Sequence, residues 1–185
     1  MADLFDCASR FVRRCPRVLL VNDIGTEIFR CASVSLQFEH REANRSALIF
    51  LSDLLFLGIP RGSVPDTVST AHATALQPLL MSHGALLVDN LVQALVGKLS
   101  INRVVDEDGS ITCVFEPLIR MCPGPARGVV TKALQKVPDS VATADDKTAL
   151  LASLFSGNAS RRRIADALYD FADIARRSQR VAGPP

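Results

Sequence analysis

Between His40 and Leu57 the chain reads HREANRSALIFLSDLLFL, charged in its first half and almost wholly apolar in its second, and Gly58-Ile59-Pro60 follows. Ala43, Ala47, Phe50, Leu51, Leu54 and Leu57 recur at spacings of three and four, which puts them on one face of a helix. Leu48, Ile49, Leu55 and Phe56 widen that face well beyond a single stripe, so this helix must be covered on more than one side. The apolar stretch from Ala47 to Ile59 contains Asp53 and is too short to cross a bilayer, which takes about 20 residues. Its covering must therefore be other parts of a protein.

The same periodicity runs along most of the chain. Leu4, Phe5, Ala8, Phe11, Val12 and Cys15 form one helical stripe, broken by Pro16. Val21, Ile24, Ile28 and Cys31 mark a second helix running to about Leu36. After the 43–57 helix and a Gly/Pro loop, the pattern from about Val68 to Ile101 is helical, with Pro78 and Gly84 expected as kinks or breaks. Asp106 to Ser110 reads as a polar turn, with Ser110 a helix cap. Ile111, Val114, Phe115, Leu118, Ile119 and Cys122 give the next stripe, closed by Pro123-Gly124-Pro125. Val129, Val130, Ala133, Leu134 and Val137 follow, then Leu150, Leu151, Leu154 and Phe155, and lastly Ile164, Leu168, Phe171 and Ala175. Asp108-Gly109 can also turn a hairpin, but its flanks lack the sustained alternation of strands.

Helix, short break, helix, then a longer loop is the order that recurs. Cys15-Pro16, Cys122-Pro123 and Ser156-Gly157 hold equivalent places between paired helices. Paired helices in units of about 40–47 residues mark a HEAT-type solenoid. The expected architecture is all-α: one α-solenoid segment of about four units, near 1–36, 40–102, 110–137 and 145–177. An irregular helical bundle is the alternative. A helix apolar on several sides suits a stack, where it meets its own partner and the units on either side. The first stripe begins close to Met1 with no polar capping unit before it. That implies the C-terminal part of a longer array, or a first unit that pairs with another chain.

Composition narrows the function classes. Hydrophobic residues make up 48% and charged residues 22%, enough for a packed core. A net charge of +2 is slight for a nucleic-acid binder relying on phosphate contacts, so nucleic acid is not an expected partner. The start MADLFDCASRF lacks the basic then apolar order of a signal peptide, and no segment calls for a membrane. The five cysteines lack a Cys-x-x-Cys pair, and most sit at apolar helix positions, as small buried hydrophobes do. GPARGVVTK lacks the order of a phosphate-binding loop, and the Asp106 to Pro117 stretch lacks the glycine and glutamate of a calcium loop. No nucleophile elbow or Cys/His arrangement is present, so neither an enzyme nor a cofactor is expected. Arg10, Arg13, Arg14 and Arg17 share a helix face, read as solvated. Arg161, Arg162 and Arg163 open the last helix, where cations oppose its dipole. Asp166, Asp170 and Asp173 on the same helix are the residues that could instead satisfy those arginines, at i+4 or nearby.

Three segments carry a resemblance: FDCASRFVRRCPRVLL, LQFEHREANRSALIFLSDLL and ADALYDFADIARR. They resemble the C-terminal HEAT repeats of importin-β (karyopherin-β) nuclear transport receptors, in the branch of transportin-SR and importin thirteen. His40-Arg41-Glu42-Ala43-Asn44, with Ser46, Phe50-Leu51 and Asp53-Leu54, is the most specific piece. The resemblance implies a protein-binding segment that takes part in Ran-dependent transport of protein cargo, Arg-Ser-rich splicing factors among them, between cytoplasm and nucleus. Ran would engage only repeats upstream of those matched here. Family B-helices line the concave side, which implies Glu27, Arg30, Lys132, Lys136 and the Arg161, Arg162, Arg163 cluster as cargo-contacting residues. A self-standing helical scaffold or adaptor, or a truncated gene product, without transport activity is the competing reading.

Overall fold

The structure, a computed structural model, describes residues 1–60, 62, 66–97, 109–157 and 160–181. Nine helices and no strand lie among the described residues: α1 Ala2–Arg14, α2 Pro16–Val21, α3 Asp23–Ser35, α4 Arg41–Phe56, α5 Thr67–Leu95, α6 Ile111–Met121, α7 Pro123–Gln135, α8 Ala144–Leu154 and α9 Arg161–Val181. The all-helical expectation holds. The alternative hairpin fails on its second arm, because Ile111 to Phe115 are helical and Ser110 caps them. Its first arm, Val104 to Asp108, lies outside the described residues, as does the proposed polar turn at Asp106 to Asp108.

The helices stack in two rows. α1 packs on α4 and α4 on α6; beside them α3 packs on α5 and α5 on α7. α3 also reaches α4, and α6 reaches α7, so the rows share one core. Successive helices stacked in chain order and paired across two rows make a helical-repeat arrangement. α4 lies centrally, as its broad apolar face requires: Ala47, Leu48, Phe50, Leu51 and Leu55 are each 0% exposed. Phe5 of α1 stacks on Phe50 with ring centroids 6.3 Å apart, and Arg13 closes the edge of that contact by an ion pair of 2.9 Å to Asp53. Burying each of these leucine and phenylalanine side chains contributes roughly 1.5–3 kcal/mol. α9 departs from strict stacking. It packs on α8 and α6 and also on α5, so it spans both rows.

The chain turns where its local chemistry requires it. Cys15 (φ −140°, ψ 57°) and Cys122 (φ −143°, ψ 66°) adopt the same bent conformation, each ending one helix ahead of a proline that starts the next. Proline excludes the helical conformation from the residue before it and is suited to a first helical position. Gly109 takes φ +72°, and a Cβ there would lie 2.9 Å from Arg45 Cγ, so only glycine fits this approach to α4.

Several expectations need correction. The predicted second helix is two, since Asn22 is extended and separates α2 from α3. Gly25 lets them fold tightly, because a Cβ there would sit 1.8 Å from the Leu19 carbonyl oxygen. The predicted stripe is also on the wrong face: Val21 and Ile24 are 78% and 63% exposed, whereas Phe29, Ala32 and Leu36 are buried. α5 runs unbroken past Pro78 and Gly84. Pro78 and Thr74, whose carbonyl loses its donor, are both on the solvent side, where water can replace the missing N–H. The cysteines are not mainly core residues, since Cys7, Cys15 and Cys31 are exposed and only Cys113 is fully buried.

Candidate protein-interaction surface

Four of the charged residues picked out by sequence belong to the row α3–α5–α7. On α3, Arg30 donates to the Glu27 carboxylate at 2.7 and 3.0 Å. That hydrogen bond, with the carboxylate's charge, holds the Arg30 guanidinium above its ordinary pKa. At the C-terminal cap of α7, Lys136 is tied to Asp89 of α5 at 2.5 Å. Lys132, one turn earlier, is exposed and has no ion-pair partner among the described residues. α3 and α7 each pack on α5, and Glu27 and Arg30 pair with each other while Lys136 pairs with Asp89.

The three arginines of α9 stand elsewhere, against α6. Glu116 is buried, and its carboxylate lies 3.3 Å from Arg120 and 3.8 Å from Arg161. Arg161 Nη2 also reaches Cys113 Sγ at 3.2 Å. A carboxylate removed from water needs such cations around it, and here they fasten the start of α9 to α6. Arg162 lies 4.0 Å from Asp166 and Arg163 is exposed, so these two face outward. The expected pairing of these arginines along α9 is present at Arg162–Asp166, whereas Asp173 is taken by Arg177 at 2.6 Å. The structure therefore brings Lys132 and Lys136 together, and Arg161 to Arg163 together, but does not gather all seven residues into one site.

A deeper feature lies between α5 and α7. A groove of about 560 Å³ is walled by Leu80, Met81 and Val88 on one side, by Ala126 and Val129 on the other, and by Leu118 and Met121 of α6 below. Gly84 and Gly128 border it, and Lys132 is its charged lining residue. Cys122 lines one end, where burial pushes its thiol pKa up and its Sγ donates to the Leu118 carbonyl at 3.2 Å. Sequence reasoning missed this groove, having read Gly84 as a kink or break. The available signal was Gly84, inside a long helical pattern with no turn to make.

Among the described residues no helix is long and apolar enough to cross a membrane. No group of three or more His, Cys, Asp or Glu among them could hold a metal ion. Two rows of stacked helices with an open groove and separate charged patches define a helical-repeat protein with a surface suited to other proteins. Comparison with known proteins narrows this. Over 182 residues, 97% of the chain, it is 24% identical to Transportin MOS14 of Arabidopsis thaliana. The chain spans 18% of that protein's length. No protein-family model matches the chain. An importin-β-like relationship is the level this similarity supports.

Proposed function

We propose that this chain is a protein-binding segment of a nuclear import receptor and contributes to cargo recognition in Ran-dependent transport between cytoplasm and nucleus. The observation that carries the reading is the similarity to Transportin MOS14 along 97% of the chain, joined to a helical-repeat fold. The transportin-SR and importin-thirteen branch is supported by the His40 to Leu54 segment, which forms most of α4. Glu27, Arg30, Lys132, Lys136 and Arg161 to Arg163 are the proposed polar cargo contacts. Spread over α3, α7 and α9, they would share affinity across an extended surface rather than concentrate it in a pocket. Ran control acts through repeats beyond this segment, and no enzymatic step is proposed.

The test is affinity capture from nuclear and cytoplasmic extracts on the immobilised chain, with proteins identified by mass spectrometry. Enrichment of nuclear-imported proteins, Arg-Ser-rich factors included, is expected, and the double variant Lys132→Glu/Lys136→Glu should reduce it. A soluble, folded preparation that enriches no imported protein would leave the scaffold reading in its place.

A further inference from the structure

The groove between α5 and α7 has features that the fold itself does not call for. Glycine is the poorest residue after proline for a helix interior, yet both walls carry one. A Cβ on Gly128 would meet nothing within 4 Å, and one on Gly84 would meet only Leu80, at 3.9 Å. Alanine would fit at either position. What the two glycines do supply is bare backbone along the groove, which lets a second backbone come close.

Charge gives the occupant a sign. Among the described residues no acidic side chain lines the groove and Lys132 faces it without an ion-pair partner, whereas Lys136 is already neutralised by Asp89. Shape gives the occupant a form. The lining positions of α5, from Thr70 to Val88, follow one helix face for about 27 Å at ~1.5 Å per residue. Both walls are helices whose backbone groups are consumed internally apart from single ones such as the Thr74 carbonyl, so an extended peptide would bury most of its N–H and C=O groups with nothing to pair them. A helix satisfies its own. We propose that this groove is the docking site for an amphipathic helix of a protein partner, with apolar side chains set between α5 and α7 and an acidic side chain against Lys132. The inference rests on the reading of this chain as a protein-binding segment and names the partner's form and charge.

Selection of a displayed library of random 16-residue peptides on the purified chain tests it, followed by fluorescence anisotropy of the recovered peptides. Recovered sequences should carry apolar residues at i, i+3 or i+4 and i+7, with Asp or Glu beside them. Gly128→Leu, which fills open space, should weaken their binding by about tenfold or more, and Lys132→Glu by several-fold. Gly84→Leu should act likewise, and circular dichroism checks that each variant stays helical; if Gly84→Leu unfolds, Gly128→Leu alone decides. Equal binding to wild type and Gly128→Leu would overturn the proposal, as would recovered peptides with no helical repeat. So would self-association of the chain that Gly128→Leu abolishes, since the occupant would then be a second copy. Failure of the two readings is distinguishable. Peptides held in the groove by a chain that enriches no imported protein remove the transport reading alone. Imported proteins captured equally by Gly128→Leu, with no groove-binding peptide, remove the helix site alone.

Discussion

The contact between α1 and α4 and the contact between α5 and α7 both join neighbours in a row, yet one is closed and the other open. Between α1 and α4 the facing residues are large: Phe5 stacks on Phe50, Val12 is buried and Arg13–Asp53 seals the edge. Between α5 and α7 the facing residues include Ala73, Gly84, Ala126 and Gly128, and a groove of about 560 Å³ remains. Residue size at the crossing decides which outcome a helix pair reaches. The closed contact holds the molecule together, and the open one leaves room for something else.

The largest expected effect breaks the closed contact. Phe50→Ala should cost about 3–5 kcal/mol, because a fully buried ring leaves a cavity. Met81→Ala in the open contact should cost well under about 1 kcal/mol, since Met81 is 74% exposed. Urea unfolding followed by circular dichroism measures both, and similar losses would erase the contrast. Next comes Gly25→Ala, which forces a methyl into the Leu19 carbonyl and should destabilise by about 1–3 kcal/mol. Gly128→Ala should instead stabilise by about 0.4–1 kcal/mol, seen as a rise in Tm, because the unfolded chain loses freedom and nothing is displaced.

The smallest effect is a pH dependence at α8, outside both contacts. Asp146 accepts from the Thr143 hydroxyl at 2.6 Å and from the Thr143 backbone N–H at 2.9 Å, which lowers its pKa from the ordinary 3.8. A carboxyl with a lowered folded pKa adds stability above its unfolded pKa and loses it as pH falls through the folded value. Stability should therefore decline slightly below pH 3.8, and Asp146→Asn should flatten that limb in thermal melts taken at stepped pH.

Much of the fold was legible because large apolar residues declare themselves. The face of α4 and the stripe of α6 appear in sequence as they do in space. The Cys15-Pro16 and Cys122-Pro123 breaks proved to share one backbone conformation, since proline acts locally. α3 was misread because apolar residues lie on both its sides. Val21, Ile24, Ile28 and Cys31 make as regular a series as Phe29, Ala32 and Leu36, and only the packing of α4 and α5 chooses between them. The polar join between α3 and α5, within one row, was equally hidden: Asn90 of α5 donates to the Ser33 carbonyl at 2.7 Å and accepts from Gln37 at 3.0 Å. For the candidate surface, charged residues could be named one by one, but their separation onto α3, α7 and α9 could not. The groove escaped notice because small residues define it, and periodicity weighs large ones.

The reach of α9 across both rows bears on how the molecule comes apart. Its first residue grips α6 through Glu116, and Gln179 near its other end donates to the Val96 carbonyl at 2.6 Å, 83 residues away in the chain. Repeat arrays ordinarily shed their outer units one at a time. A strap fixed at two places must release both before anything beneath it can loosen, so α5 and α6 are held together until α9 has let go of each.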